Sequence, residues 1–225
     1  MAGAISTEHE SEGPGTEDLQ GRIRAASAVR RLTHGLVGRQ LDSGLLEEIA
    51  DVTERLAAAV DAAPVRRRHV DGMRFDVFRR PVVDGEAVVH FAECPVSGRA
   101  NPLAPEVEVW RRGDGVRARV VLGPAFEGAP GRAHGGAVAA VFDDVMGFLA
   151  TVHAVPTYAG ELTIRYLAPT PLDEQLDFTA WVGERRARTM ITEARAVHRG
   201  KTVAEATCVG VIIGDDRLGR AAYDY

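Results

Sequence analysis

Apolar positions recur at helical spacing twice in the first third of the chain. Leu19, Ile23, Ala26, Val29, Leu32 and Leu36 share one face, with Thr16 placed to cap the helix and acidic residues in its first turn. Leu45, Leu46, Ile49, Val52, Leu56 and Val60 repeat the pattern after Asp42 or Ser43, either of which can cap, and Pro64 closes it. Residues 1–16 ahead of the pair are polar and rich in Gly, Ser and Glu, which predicts a disordered lead. Residues 17–63 then form a helical extension and 64–84 a linker, whose run Arg66, Arg67 and Arg68 reads as a solvated surface.

Beyond the linker the period shortens to that of strands. Alternating runs cover 86–91, 106–111, 115–122, 158–167, 176–182, 189–199 and 201–213, and turn residues separate them. Gly113 to Gly115 and Arg199-Gly200 are hairpin turns by composition. Between the third and fourth runs lies a different pattern: residues 135–152 are apolar nearly all round, so the helix they form must be buried. A buried helix followed by consecutive antiparallel strands predicts an α+β domain over 85–214, its curved sheet wrapped around a central helix, with 215–225 as a tail.

Composition narrows the functional classes. The formal charge of −5 and the isoelectric point near 5.8 argue against nucleic acid as the main partner, since phosphate binding needs a net basic face. Cys94 and Cys208 stand apart with no C-x-x-C spacing, so neither a disulfide framework nor a metal site is expected. The first 15 residues carry no apolar signal segment, and no run approaches the roughly 18 apolar residues that cross a bilayer. A cytoplasmic protein without membrane insertion is expected.

The candidate chemistry sits where loop meets helix. Five glycines and two prolines lie between Gly123 and Gly136, and the loop runs straight into the apolar helix. Gly135 and Gly136 leave that helix N-terminus clear of side chains, so unpaired backbone N–H groups and the helix dipole face whatever approaches. Such donors can hold a carbonyl oxyanion, and each is typically worth about 3–4 kcal/mol in the transition state. Asp143 and Asp144 stand in the middle of the apolar helix, where a carboxylate is costly unless paired, protonated or functional.

The pattern G-P-x-x-E-G-x-P-G-x-x-H-G-G-x-x-x-x-x-x-D, from Gly123 through His134-Gly135-Gly136 to Asp143, resembles the signature of HotDog-fold acyl-CoA thioesterases of the phenylacetyl-CoA type. The likeness extends over residues 85–214, including Tyr166-Leu-Ala-Pro169 and Gly200-Lys-Thr-Val-Ala-Glu-Ala-Thr207. It implies hydrolysis of an acyl-CoA or acyl-carrier-protein thioester, free of metal, with no cofactor beyond the coenzyme A of the substrate. By position the resemblance makes Asp143 the nucleophile or general base and the N–H of Gly135 the group polarising the carbonyl, while His134 orients the loop or contacts the acyl group. Relatives carry Thr or Ser at the start of the strand after the helix, where this chain has Ala159 with Thr157 nearby. Relatives also show Cys-x-x-Cys-Gly-x-x-Asn-Pro upstream, and here Cys94, Ser97, Gly98, Asn101 and Pro102 replace it with one cysteine lost. Asp144, Thr157 and Ala159 are candidates for contact with substrate. Coenzyme A is a polyanion, so Arg165, Arg185, Arg186, Arg188 and Lys201 are candidates for its phosphates.

Helix geometry adds a constraint. Nine residues at about 1.5 Å each put Asp143 roughly 13 Å from His134, too far for both to touch one carbonyl. Two copies of the helix side by side and antiparallel would solve this, and the resemblance likewise implies a homodimer, with a tetramer as a further state. A hydratase or dehydratase of the same fold and a non-catalytic acyl-CoA binding protein are the alternative readings.

Overall fold

The structure, a computed structural model, describes residues 16–66 and 81–213. Nearly all of the lead, much of the linker including Arg67 and Arg68, and the tail lie outside those residues. Two helices open the described chain, α1 (Thr16–Gly38) and α2 (Ser43–Asp61), and Asp42 caps the second by accepting from the Leu45 N–H at 2.9 Å. There follow β1 (Glu108–Arg112), β2 (Gly115–Val121), a 3-10 turn at Pro124–Phe126, the helix α3 (Gly135–Val152), and β3 (Thr157–Tyr166), β4 (Gln175–Arg185), β5 (Thr189–His198) and β6 (Lys201–Ile212).

The six strands form one antiparallel sheet in the order β1-β2-β4-β5-β6-β3. Insertion of α3 between β2 and β3 sends β3 to the far edge, so the helix lies across the concave face between them. Alternation along each strand supplies that face: Val116, Ala118 and Val120 of β2, Leu176, Phe178 and Ala180 of β4, and Ala194 and Ala196 of β5 are buried. Many of the inward residues are alanines, and their small side chains let the helix settle close. Val138, Val141, Phe142, Val145, Phe148 and Leu149 of α3 fill the space, Phe142 meeting Phe178 edge-on at 5.0 Å.

This is the α+β HotDog arrangement expected, with helices ahead of it. Both hairpin turns occur as read; Arg199 and Gly200 take positive φ of 47° and 78°, the pair of left-handed residues a two-residue hairpin demands. Two expectations are corrected. The run 86–91 is not a strand: only Ala87 bridges to Trp110, because the chain then turns off the edge of β1 and sends His90 onto α3. And one 18-residue stretch, Gly135–Val152, is long and apolar enough to cross a membrane by composition, although here those apolar residues face the sheet.

Candidate active site

The loop between β2 and α3 is pinned from both sides. Gly128 and Arg132 hydrogen-bond across it at 2.9 Å, the His134 N–H reaches the Phe126 carbonyl at 2.8 Å, and the Ala133 N–H reaches Thr170 at 3.0 Å. Helix α1 closes over the outside: the Ala125 N–H donates to Nδ1 of His34 at 3.2 Å, and Gly38 backs onto Pro124 so closely that a Cβ would lie 2.8 Å from its ring. The helix entrance is therefore held by packing rather than left to the glycines.

At that entrance the orphan donors are unequally used. His134 is the N-cap, and its Nδ1 accepts from the Gly136 N–H at 2.9 Å. The N–H groups of Ala137 and Val138 reach the His134 carbonyl. Among the described residues only the Gly135 N–H of this first turn lacks a partner. Tyr166 donates its hydroxyl to the Gly135 carbonyl at 2.7 Å, fixing the next peptide, and its ring would lie 3.3 Å from any Cβ placed on Gly135. A cavity of about 430 Å³ opens there, lined by Arg132, Gly135, Val138, Tyr166 and Pro169 among others.

The second group of candidate residues lies two turns along α3. Asp143 occupies a solvent-facing stripe of the helix together with Gly136 and Gly147, eight residues or about 12 Å from Gly135. A cavity of about 220 Å³ beside it is lined by Asp143, Asp144, Thr157, Ala159, Met190 and Cys208, with His90 at its wall. Thr157 and Ala159 arrive because only four residues separate the end of α3 from the start of β3, which runs back alongside it. Burial raises the Asp143 carboxyl above the ordinary range, although part of it still meets solvent. It also raises the Cys208 thiol, and the nearby Asp143 charge pushes the same way.

Asp144 turns inward. The Cys94 thiol donates to its Oδ1 at 3.1 Å, while Oδ2 is buried with no hydrogen bond. Burial raises this carboxyl, the Asp143 charge adds to the effect, and the neighbouring Ser97 and Cys94 oppose it. The turn 94–98 that replaces the relatives' two-cysteine segment thus becomes part of the floor behind Asp143. His90, from the run mistaken for a strand, stacks on Phe148 with ring centres 3.6 Å apart and meets the Thr151 hydroxyl at 3.0 Å. Burial lowers its imidazole to about 4.

The candidate arginines do not line either cavity within one chain. Arg165 stands 3.9 Å from Glu205 near the Gly135 end, and Arg186 forks onto Glu184 with both contacts at 2.8 Å. Arg188 is exposed on the β4–β5 turn, two residues before Met190 of the Asp143 cavity. Sequence reasoning did not single out His90 or Tyr166 as site residues. Tyr166 had a signal in the Tyr-Leu-Ala-Pro motif, whereas His90 had none, since its place depends on a contact with a helix some sixty residues away.

Residues 130–205 match the family model described as Thioesterase superfamily. No curated protein matches the sequence. Among solved structures, a protein described as a thioesterase superfamily protein is similar at 26% identity and a TM-score of 0.71, covering 89% of this chain and 97% of its own. A hypothetical thioesterase from Streptococcus pneumoniae, solved with coenzyme A, shares 20% identity at a TM-score of 0.46, over 48% of this chain and 89% of its own. The PaaI protein from the phenylacetic acid degradation operon of E. coli shares 19% at 0.47, over 49% and 81%. By the match over residues 130–205 and the likeness along 89% of its length, the chain is similar to thioesterase superfamily proteins and has the HotDog fold.

Proposed function

We propose that this protein hydrolyses acyl thioesters of coenzyme A or of an acyl-carrier protein at sites shared between two copies of the chain. The observation that carries the reading is the unequal use of the helix entrance: one N–H, that of Gly135, is left without a partner while its neighbours are capped. A free N–H at a helix N-terminus is suited to a developing oxyanion. Asp143, with its carboxyl raised by burial, is suited to take a proton from water.

The two groups are about 12 Å apart on one helix, so they serve one carbonyl only if a second α3 lies antiparallel. Two features support that pairing. The outer stripe of α3 carries Gly136, Asp143 and Gly147, small enough on either side of the carboxylate for another helix to approach. Strand β3 ends the sheet as a ten-residue edge whose residues 158–161 are all exposed, and unpaired strand edges join readily. In the resulting dimer Asp143 of one copy deprotonates water, the hydroxide adds to the thioester carbonyl, and Gly135 of the other copy holds the oxyanion. The C–S bond then breaks, and the thiolate takes up the proton that Asp143 had received. Direct attack by Asp143, giving a mixed anhydride that water opens, uses the same two groups.

The test is release of free thiol from a panel of acyl-CoAs by the purified protein and by Asp143→Asn. The variant is expected to fold normally and to lose roughly 10²- to 10⁴-fold in kcat. Equal turnover by the two proteins would overturn the role of Asp143. Thioester binding without thiol release from any substrate would replace the enzyme by a binding protein.

A further inference from the structure

Helix α2 is nineteen residues long and buries none of them. Leu56 and Val60 are 62% and 70% exposed, and Leu45, Leu46 and Val52 are exposed as well. Among the described residues α2 has no extensive packing against another helix or strand of its chain. An isolated helix of this length is marginal in water, so a stripe of this kind is a face made to be covered.

The stripe has a particular spacing. Leu45, Ile49, Val52, Leu56 and Ala59 alternate steps of four and three, the seam of a two-stranded helical pair. Helix α1 carries a second seam of the same kind on the side away from the domain: Ala25, Val29, Leu32 and Leu36. Its inner face, through Ala26, Arg30 and His34, is occupied by the domain, whereas Val29 and Leu36 on the outer face are 49% and 40% exposed. Charge then selects the pairing. Between Ser43 and Asp61, α2 holds Glu47, Glu48, Asp51, Glu54 and Asp61 against Arg55 alone, while α1 exposes Arg24 and Arg31, with Arg39 just beyond it; Arg22 pairs with Asp18 of the first turn, and Arg30 is taken by the domain. Two α2 helices would repel one another, and an α2 against an α1 attracts.

We propose that α2 docks on the outer seam of α1 from a second copy of this chain, and that the exchange is reciprocal. The same chain supplies both complementary surfaces, and the turn at 39–42 leads α2 away from its own α1 rather than back along it. Because α1 holds the loop before α3 through His34 and Gly38, the arriving helix braces its partner's Gly135 from behind. The surface is distinct from the α3 and β3 faces, and the inference does not depend on the thioester chemistry.

Cross-linking tests it without reference to turnover. Val29 and Val52 lie at the middles of the two seams, so they meet whichever way the helices run. Val29→Cys and Val52→Cys are made in separately tagged chains, purified, mixed, exchanged through mild denaturant and oxidised; the native Cys94 and Cys208 are buried. A disulfide joining the two tags is expected, at least tenfold above either variant oxidised alone. In the double variant Val29→Cys/Val52→Cys a covalent dimer is expected. A link closing within one chain, or no link in either experiment, would overturn the exchange. Ala28→Cys with Thr53→Cys, one position round each helix, repeats the measurement should the first pair disturb folding, with far-ultraviolet circular dichroism as the control.

Discussion

At the scale of single residues, environment rather than residue type assigns the roles. Asp143 and Asp144 are neighbours of identical chemistry that border one cavity, yet Asp143 is exposed to solvent while Asp144 receives a thiol hydrogen bond from Cys94 and turns its second oxygen into the protein. Since burial raises the Asp143 carboxyl, and the proposed mechanism uses its ionised form as the base, the acid limb of kcat/KM should lie above the ordinary aspartate range. A pH profile placing that limb at or below pH 3.8 would remove the desolvated base. His90 gives a stability prediction of opposite sense. Its folded-state value of about 4, against 6.5, means that the unfolded chain binds the proton more readily between those limits. Stability is thus full above pH 6.5 and falls as pH drops toward 4, by up to about 3 kcal/mol. Urea titrations of wild type and His90→Gln should diverge across that window, and parallel curves would contradict the assignment.

Among the elements, α1 is the one whose purpose was least visible in the sequence. Its Arg30 is buried, donates to the Asn101 carbonyl at 2.8 Å and pairs with Glu106 at 2.9 Å, tying the helix to the segment that precedes β1. A lysine keeps the charge but not the fork, so Arg30→Lys should cost about 1–3 kcal/mol in chemical denaturation. An unchanged midpoint would mean that the helix is held by its apolar contacts alone. The turn 94–98 is more sharply constrained. A Cβ on Gly98 would meet the Cys94 nitrogen at 2.3 Å and the Ala92 oxygen at 2.5 Å, and backbone atoms cannot yield. Gly98→Ala is therefore expected to displace Cys94 from Asp144, lowering thermal stability and kcat together. Full stability and activity in that variant would show that the turn has another way to fold.

For the whole molecule, the proposed half-sites, about 12 Å apart on one α3, would make activity a property of the assembly. Specific activity should fall on dilution in step with the loss of dimer measured by light scattering. A monomer with full turnover would return the reaction to a single chain and require a different partner for Gly135. The proposed α2 exchange would add a second tie between copies, so removal of the helical arm should shift the same dilution curve to higher concentration.

The central helix, the glycine-rich entry, both hairpins and the spacing of Gly135 and Asp143 along one helix were legible in the sequence, because periodicity, turn composition and helical rise are local properties. The failed strand at 86–91 shows the limit of that reading: an alternating run pairs only where an edge remains beside it, and here the chain leaves β1 after Ala87. Tertiary structure alone decided that β3 lies at the far edge beside Asp143, that His134 occupies the Gly136 donor and leaves Gly135 free, and that Cys94 and His90 reach α3. Each of these depends on residues distant in sequence meeting across a packed interface. The apolar stripe of α2 belongs to both accounts: its spacing is written in the sequence, and only the fold reveals that none of the described residues of its own chain buries it.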